Sequence, residues 1–170
     1  MSIVLLISET TLKKYTVVND NVDACYITPS IQKAQDMGLQ PIIGTALLRK
    51  VCSLIPNDIL LPENSVYKKL LSEYITPYLC NKATAELQWA LFAKIRNNGL
   101  VTSQDNQTQQ ISIADCEYLR KKYEYDADFY AQRMTDFLYA NSKDYPEWKQ
   151  RETVADMRAD NDAYKTNIVL

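Results

Sequence analysis

The stretch ITPSIQKAQDMGLQPIIGTALLRKV, residues 27–51, decides the fold because it holds two helix-start signals and two of the chain's three glycines. Thr28 and Pro29 are typical of a helix N-terminus, with threonine as the cap and proline at the first helical position. The helix that they begin is predicted to run to about Met37 and to end at Gly38, since glycine readily ends a helix.

A second helix is predicted to begin at Gln40–Pro41 and to run to about Leu54. Gly44 lies inside this helix, where glycine costs about 1 kcal/mol relative to alanine. Its presence there indicates a close approach of the backbone to a neighbouring segment. We therefore expect a helix, a sharp corner and a second helix. The residues predicted to form this structural corner are Pro29, Gly38, Pro41 and Gly44.

The segments on either side of this stretch are also predicted to be mainly helical. Ser8 is expected to cap a short helix over residues 9–15, followed by extended chain and a turn. From Ser65 onward, apolar residues recur at helical spacing. Thr76–Pro77 predicts either a kink or a new helix, and Asn97–Gly99 are predicted to end the pattern. The first residues of the pattern are Tyr67, Leu70, Leu71, Tyr74, Ile75 and Tyr78.

The longest predicted helix begins with a pattern that resembles a capping box, Ser112 followed by Asp115. Its apolar residues recur every three or four positions, and it is expected to run to about Asn141. The preceding polar segment, residues 102–110, has no apolar period, and we expect a loop or a hairpin tip there. Its candidate contact residues are Gln104, Asp105, Asn106 and Gln107.

These patterns together predict a mainly α fold: a compact helical bundle with a long C-terminal helix and a polar loop or hairpin near residues 100–111. After the break at Pro146 the chain is charged and weakly patterned, and we expect an extended C-terminal arm. The predicted division is a helical domain over residues 1–148 and an arm over residues 149–170. The arm's candidate contact residues are Tyr164, Ile168, Val169 and Leu170.

The composition argues against catalysis and against a metal or cofactor site. The chain has no histidine, which removes the commonest general base and the commonest metal ligand. Its four cysteines form no CxxC pair, so we expect buried free thiols in a reducing compartment. No glycine-rich phosphate loop and no GxSxG motif occurs. Four acidic residues could gather by chance, but a solvated face is the expectation: Asp20, Asp23, Asp126 and Asp128.

The charge and the N-terminal sequence bear on partners and location. The net charge of −2 gives no electrostatic case for nucleic-acid binding as the main role. The short basic runs at residues 94–96 and 120–122 are expected to be ordinary helix surface, with a contact to DNA or to an acidic partner as the alternative. The N-terminal apolar run is too short for a signal peptide, and no segment approaches the length of a membrane span. We therefore expect a protein made in the cytoplasm that binds other proteins.

The order of several segments resembles a known family. The pattern Y-I-x-P-x-I-x-x-A-Q is followed by P-I-I-G-x-x-L-L, then by LLSEYITPYLCNKATAEL, KIRNNGLVT and FYAQRMTDFLYANSKDYPEW. This order is similar to that of the head–tail connector proteins (adaptor or head-completion proteins) of tailed bacteriophages. The similarity is greatest to those of phages that infect Bacteroidales, including the crAss-like group, and it covers roughly residues 8–148.

The resemblance implies a non-enzymatic virion protein that forms a ring, commonly of twelve copies, beneath the portal in the phage neck. Such a ring extends the DNA channel, lets DNA pass without specific binding, and carries the next neck or tail ring. The arm from Lys149 to Leu170 matches none of these segments, and its role as a clamp on the portal or a neighbouring subunit is a hypothesis. Two alternatives stay open: a cytoplasmic helical adaptor or regulator, and an enzyme that uses carboxylate chemistry.

Overall fold

A computed structural model describes residues 4–55, 58–96, 99–102, 112–150 and 156–159. Within them the fold is a compact helical bundle, as predicted, with one two-stranded hairpin. The helices are α1 (Glu9–Tyr15), α2 (Ala24–Lys33), α3 (Gln40–Leu54), α4 (Ser65–Leu70), α5 (Thr76–Phe92) and α6 (Ile113–Ala140). Wide π-helical turns cover Ala34–Leu39 and Leu71–Ile75, and 3₁₀ turns cover Pro62–Asn64 and Pro146–Lys149.

The two predicted caps are confirmed. The Ser8 side chain accepts a hydrogen bond from the N–H of Thr11 at 3.1 Å, which pairs one free donor of the first turn of α1. At the start of α6, Ser112 accepts from the N–H of Asp115 at 3.1 Å and donates to its carboxylate at 2.8 Å. The end of α6 at Ala140, with Asn141 as the C-cap, also agrees with the prediction.

The predicted helix start at Thr28–Pro29 is wrong. The helix begins earlier, at Ala24, so that Pro29 lies in its interior and part of the segment expected to be extended is helical. An interior proline costs about 3 kcal/mol because it removes a hydrogen bond and crowds the preceding turn. Ile27 and Ile31, one helical turn apart and fully buried, give the packing that offsets this cost.

The predicted helix end at Gly38 is also wrong, because the chain runs through the wide turn Ala34–Leu39 directly into α3. The corner lies six residues later, at Gly44, which has φ 79° and ψ 160° inside an otherwise helical segment. Gly38 serves a different purpose. A Cβ atom there would lie 2.7 Å from the hydroxyl oxygen of Tyr78, so glycine allows the wide turn to approach α5.

Of the two alternatives at Thr76–Pro77, the new helix is the one observed, since α5 begins at Thr76. The turn Leu71–Ile75 joins α4 to α5 in one helical path, and the hydroxyl of Thr76 donates to the carbonyl of Leu71 at 2.8 Å. The predicted end of this helix at Asn97–Gly99 is wrong. The helix ends at Phe92, and an antiparallel hairpin comes next, with β1 (Ala93–Arg96) paired to β2 (Gly99–Thr102). The β-branched residues of these strands, Ile95, Val101 and Thr102, favour extended chain over further helix.

The core is built around α5, which is buried on all faces through most of its length and packs against α2 and α6. Small residues let these helices approach closely, and the larger side chains fill the space beneath the corner. The fully buried residues of α5 and α6 include Leu79, Ala83, Leu87, Ala127, Ala131, Met134 and Leu138. The bundle thereby fixes the corner on one side and the outer surface of α6 on another.

Candidate functional site

The corner at Gly44 is the point where the C-terminal segment Asp156–Ala159 contacts the bundle. A Cβ atom on Gly44 would lie 3.0 Å from the backbone nitrogen of Ala159 and 3.4 Å from the carbonyl oxygen of Met157. The close backbone approach predicted at Gly44 is therefore confirmed. The positive φ there adds a second reason for glycine, since other residues seldom adopt this conformation.

Two hydrogen bonds fasten the segment to the corner. The N–H of Thr45 donates to the carbonyl of Met157 at 2.9 Å, and the N–H of Met157 donates to the hydroxyl oxygen of Thr45 at 2.9 Å. The amide of Gln40 donates to the same hydroxyl at 2.8 Å. Because Gly44 turns the chain out of the helix, the N–H of Thr45 is free to pair with another segment.

An ion pair adds to this attachment. The carboxylate of Asp156, which is almost fully buried, lies 3.0 Å and 3.3 Å from two guanidinium nitrogens of Arg49. The Arg49 side chain is more than half exposed, so the pair lies at the edge of the bundle. A buried carboxylate is costly unless it is paired, so this contact favours one position for the segment.

Trp148 packs beneath the same corner. Its side chain is fully buried, and its indole N–H donates to the carbonyl of Ile42 at 3.4 Å. It belongs to the 3₁₀ turn that begins at Pro146, and Tyr139 of α6 packs edge-on against its ring at 4.9 Å. The corner is thus held from within by Trp148 and from outside by the segment Asp156–Ala159.

A row of four aromatic rings runs beside the corner: Tyr67, Tyr145, Phe137 and Tyr74, with neighbouring centroids 4.1–5.8 Å apart. The hydroxyl of Tyr67 lies 3.0 Å from both carboxylate oxygens of Glu147. Burial, and then the hydrogen bond to this carboxylate, raise the pKa of Tyr67 to about 12. The row therefore joins α4 and α6 to the 3₁₀ turn that holds Trp148.

A separate groove of about 390 Å³ lies between α2 and α5. Trp89 lines it with its ring partly exposed, and Lys33 and Glu86 form an ion pair at the same place. Cys25 also lines it and is exposed. The expectation of four buried thiols is therefore wrong for Cys25, which is on the outer face of α2, whereas Cys80 and Cys116 are buried.

The predicted site residues divide into two groups. Among the corner residues, Pro41 begins α3 as predicted and Gly44 forms the corner, while Pro29 and Gly38 have the different places described above. The loop candidates 104–107 and the arm candidates Tyr164, Ile168, Val169 and Leu170 lie outside the described residues. The sequence predictions missed Thr45, Arg49, Asp156 and Trp148, because each acts through a partner about a hundred residues away.

Of the four acidic residues considered, Asp23 occupies the N-cap of α2 without a side-chain bond to it. Burial, against the attraction of Lys82, raises the pKa of Asp128. In the described part of the chain, no three His, Cys, Asp or Glu residues are placed to hold a metal ion together. A search of the same residues finds no helix with the length and apolar character needed to cross a membrane.

The geometry defines a helical bundle whose corner receives a distant segment of the same chain. A family model, described as a family of unknown function (DUF6712), matches residues 39–158, which is more than half of the chain. The protein belongs to this family. The match begins just before the corner and ends within the segment Asp156–Ala159, so it includes both sides of this contact. No curated protein and no solved structure matches the chain.

Proposed function

We propose that this protein is a structural component of a tailed-phage virion, which forms a ring in the neck between the portal and the tail. Its partners in this role are further copies of itself, about twelve in all, the portal protein and the next neck or tail ring. The ring extends the DNA channel, and DNA passes through it without specific binding. The protein is made in the host cytoplasm and acts in the virion neck, by shape rather than by catalysis.

The observation that carries the proposal is the order and spacing of the sequence segments over roughly residues 8–148, which resemble the connector proteins of such phages. The corner is consistent with this role because its residues are used for packing and backbone contacts. Gly44 needs to be glycine for its φ and for the approach of Ala159, and Trp148 fills the space beneath. A ring subunit needs such a rigid body to present fixed surfaces to its neighbours.

The segment Asp156–Ala159 supports a role for the C-terminal arm. Its hydrogen bonds to Thr45 and its ion pair to Arg49 give the arm a fixed origin beside Gly44. We propose that the apolar residues near the end of the chain contact the portal or a neighbouring subunit. These residues are Tyr164, Ile168, Val169 and Leu170.

The mass of the purified protein tests the proposed function, measured alone and then mixed with the portal of the same phage, with negative-stain images of each sample. We expect a ring of about twelve copies, either in the free protein or on the portal. A monomer or dimer that does not bind the portal would contradict the proposal and favour a helical adaptor.

Two truncations separate the arm from its attachment. Deletion of residues 160–170 leaves Asp156–Ala159 in place, and deletion of residues 150–170 removes the attachment as well. If the arm clamps the portal, both truncations weaken portal binding, while the shorter one leaves the free energy of unfolding unchanged. Full portal binding and ring formation by the 150–170 deletion would rule out this role for the arm.

A further inference from the structure

The outer face of α6 carries the three most exposed aromatic side chains of the described residues. Tyr118, Tyr125 and Phe129 have 73%, 77% and 63% of their surface exposed. Their spacing of seven and then four residues places them on one side of the helix, over about 16 Å of its length. Exposed aromatic side chains in a row are typical of protein interfaces, where they act as anchors.

Two lysines give this face a positive charge. Lys121 and Lys122 lie between the first two rings and are exposed, and within the described residues neither forms an ion pair. Arg120 already binds the acidic side chains of the same turns, with contacts of 2.7 Å to Glu117 and 2.5 Å to Glu124. The face therefore combines aromatic anchors with two exposed lysines that form no close ion pair among the described residues.

The opposite combination occurs at the loop between α1 and α2. Val17 is 85% exposed, the highest exposure among the large apolar side chains described, and Tyr15 beside it is 59% exposed. The loop, residues 16–23, contains two aspartates and no basic residue. Lys13 pairs with Glu9 and donates to the main-chain carbonyl of Asp20, and the side chain of Asp23 forms no capping bond. The loop is thus apolar and negatively charged.

The two surfaces belong to different elements of the bundle. The loop 16–23 joins α1 to α2, and both of these helices, like α6, pack against α5. Glu86 of α5 pairs with Lys33 of α2, and Lys82 of α5 lies 3.7 Å from Glu124 of α6. Because the two surfaces differ, a contact between them joins two copies head to tail.

We infer that a second copy of this chain binds the outer face of α6 through the loop 16–23, so that Asp20 and Asp23 of one copy meet Lys121 and Lys122 of the next. Val17 and Tyr15 then pack against Tyr118, Tyr125 and Phe129. Complementary charge orients the two copies and suppresses other pairings, while the aromatic side chains contribute most of the affinity. This inference deepens the proposed function, since a head-to-tail contact that closes by rotation produces a ring.

Disulfide cross-linking of variants that carry one introduced cysteine each tests the contact. Val17→Cys and Tyr125→Cys are each made with Cys25→Ser, because Cys25 is exposed and lies close to the loop. We expect a cross-linked dimer when the two variants are mixed and none from either alone. The double variant is expected to give a ladder of higher oligomers. Leu60→Cys, which is also well exposed, is the matched control and is expected to give no product with Tyr125→Cys.

Charge reversal tests the same contact by a second route. Lys121→Glu with Lys122→Glu is expected to weaken self-association at least about tenfold, as is Asp20→Lys with Asp23→Lys, and combining all four changes restores most of it. Circular dichroism checks that each variant is folded. Unchanged association of both reversed variants, or no cross-link in the mixture, overturns the inference.

The outcomes separate this inference from the proposed function. A ring on the portal without the Val17–Tyr125 cross-link overturns the inference and leaves the neck role standing. Cross-linked oligomers that ignore the portal support the inference and contradict the neck role. If Lys121→Glu with Lys122→Glu instead removes salt-dependent binding of a double-stranded DNA oligonucleotide while self-association is unchanged, the face is a nucleic-acid site and the inference is overturned.

Discussion

The wide turns at Ala34–Leu39 and Leu71–Ile75 make an instructive pair, since each lies just before an X-Pro sequence, Gln40–Pro41 and Thr76–Pro77. In both turns a backbone N–H reaches a carbonyl five residues earlier: Gln40 reaches Gln35, and Thr76 reaches Leu71. This longer spacing widens the turn just before each proline, where the proline ring would otherwise crowd the preceding turn. The same local signal thus produces the same local turn in both places.

The two regions differ in the course of the chain after the proline. Beyond Pro77 the helix continues to Phe92, whereas three residues after Pro41 the chain turns sharply at Gly44. The corner also has partners from the end of the chain, Trp148 and the segment Asp156–Ala159, whereas the turn Leu71–Ile75 meets α6 through the stacked rings of Tyr74 and Phe137. A wide turn thus precedes Pro41 and Pro77 but not Pro29, which lies inside the regular helix α2, so proline alone does not determine it. Glycine and long-range contacts determine the corner.

Removal of Trp148 is expected to give the largest effect. Trp148→Ala leaves a cavity beneath the corner and an unpaired carbonyl at Ile42, so we expect a loss of about 3–5 kcal/mol in the free energy of unfolding. Urea denaturation followed by circular dichroism measures it. Trp89→Ala is the matched control, and since that ring is 41% exposed we expect at most about 1 kcal/mol. Similar losses for both would mean that Trp148 does not support the corner.

The two glycines on either side of Pro41, Gly38 and Gly44, test the corner directly. Gly44→Ala is expected to cost about 2–3 kcal/mol, because alanine at positive φ is strained and its Cβ would meet the backbone of Ala159. The added Cβ in Gly38→Ala would meet side-chain atoms, the Tyr78 hydroxyl at 2.7 Å and Lys82 Cγ at 3.2 Å, which can shift more easily than backbone. Alanine also gains helix propensity there, so we expect less than about 1 kcal/mol. Denaturant midpoints compare the two variants. An equal effect would show that the corner does not need Gly44.

Two of the buried threonines, Thr45 beside the corner and Thr76 at the second wide turn, extend the comparison. Thr45→Val removes the acceptor for the N–H of Met157, and we expect about 1–3 kcal/mol because that donor loses its partner. Thr76→Val removes one bond to Leu71, whose carbonyl still accepts from the backbone of Thr76, so about 1 kcal/mol or less is expected. Limited proteolysis near residue 156, faster only in Thr45→Val, checks where the effect acts.

The smallest effect concerns pH. The pKa of Tyr67 is about 12 in the folded protein, above the ordinary tyrosine value of about 10. A raised pKa means that the folded state holds this proton more tightly than the unfolded state does. The contribution of the Tyr67 phenol to the free energy of unfolding is therefore complete below about pH 10 and is lost between pH 10 and pH 12. Tyr67→Phe is expected to lower the free energy of unfolding by about 1 kcal/mol at neutral pH. Between pH 10 and pH 12 it is expected to lose less of this free energy than the protein with Tyr67 does. If the free energies of unfolding of the two proteins fell in parallel above pH 10, the result would contradict the raised pKa of Tyr67.

Much of the helical framework could be predicted from local sequence. Ser8 and the Ser112–Asp115 pair have side chains that bond the N–H groups three residues ahead, and their effect needs no distant partner. The observed ends of α3 at Leu54 and of α6 at Ala140 also agree with the predicted ends. At Pro29, by contrast, the local rule failed because buried Ile27 and Ile31 outweighed the cost of an interior proline.

The sequence by itself determined most of the helices, the caps at Ser8 and Ser112 and the close backbone approach at Gly44, since these depend on backbone conformation over a few residues. Only the tertiary structure decided which glycine makes the corner and what it receives, because that depends on Trp148 and on Asp156–Ala159, which are distant in the chain. The exposed faces of α6 and of the loop 16–23 were decided in the same way. A helical period indicates that one side is buried, but only packing against α5 settles which side remains open.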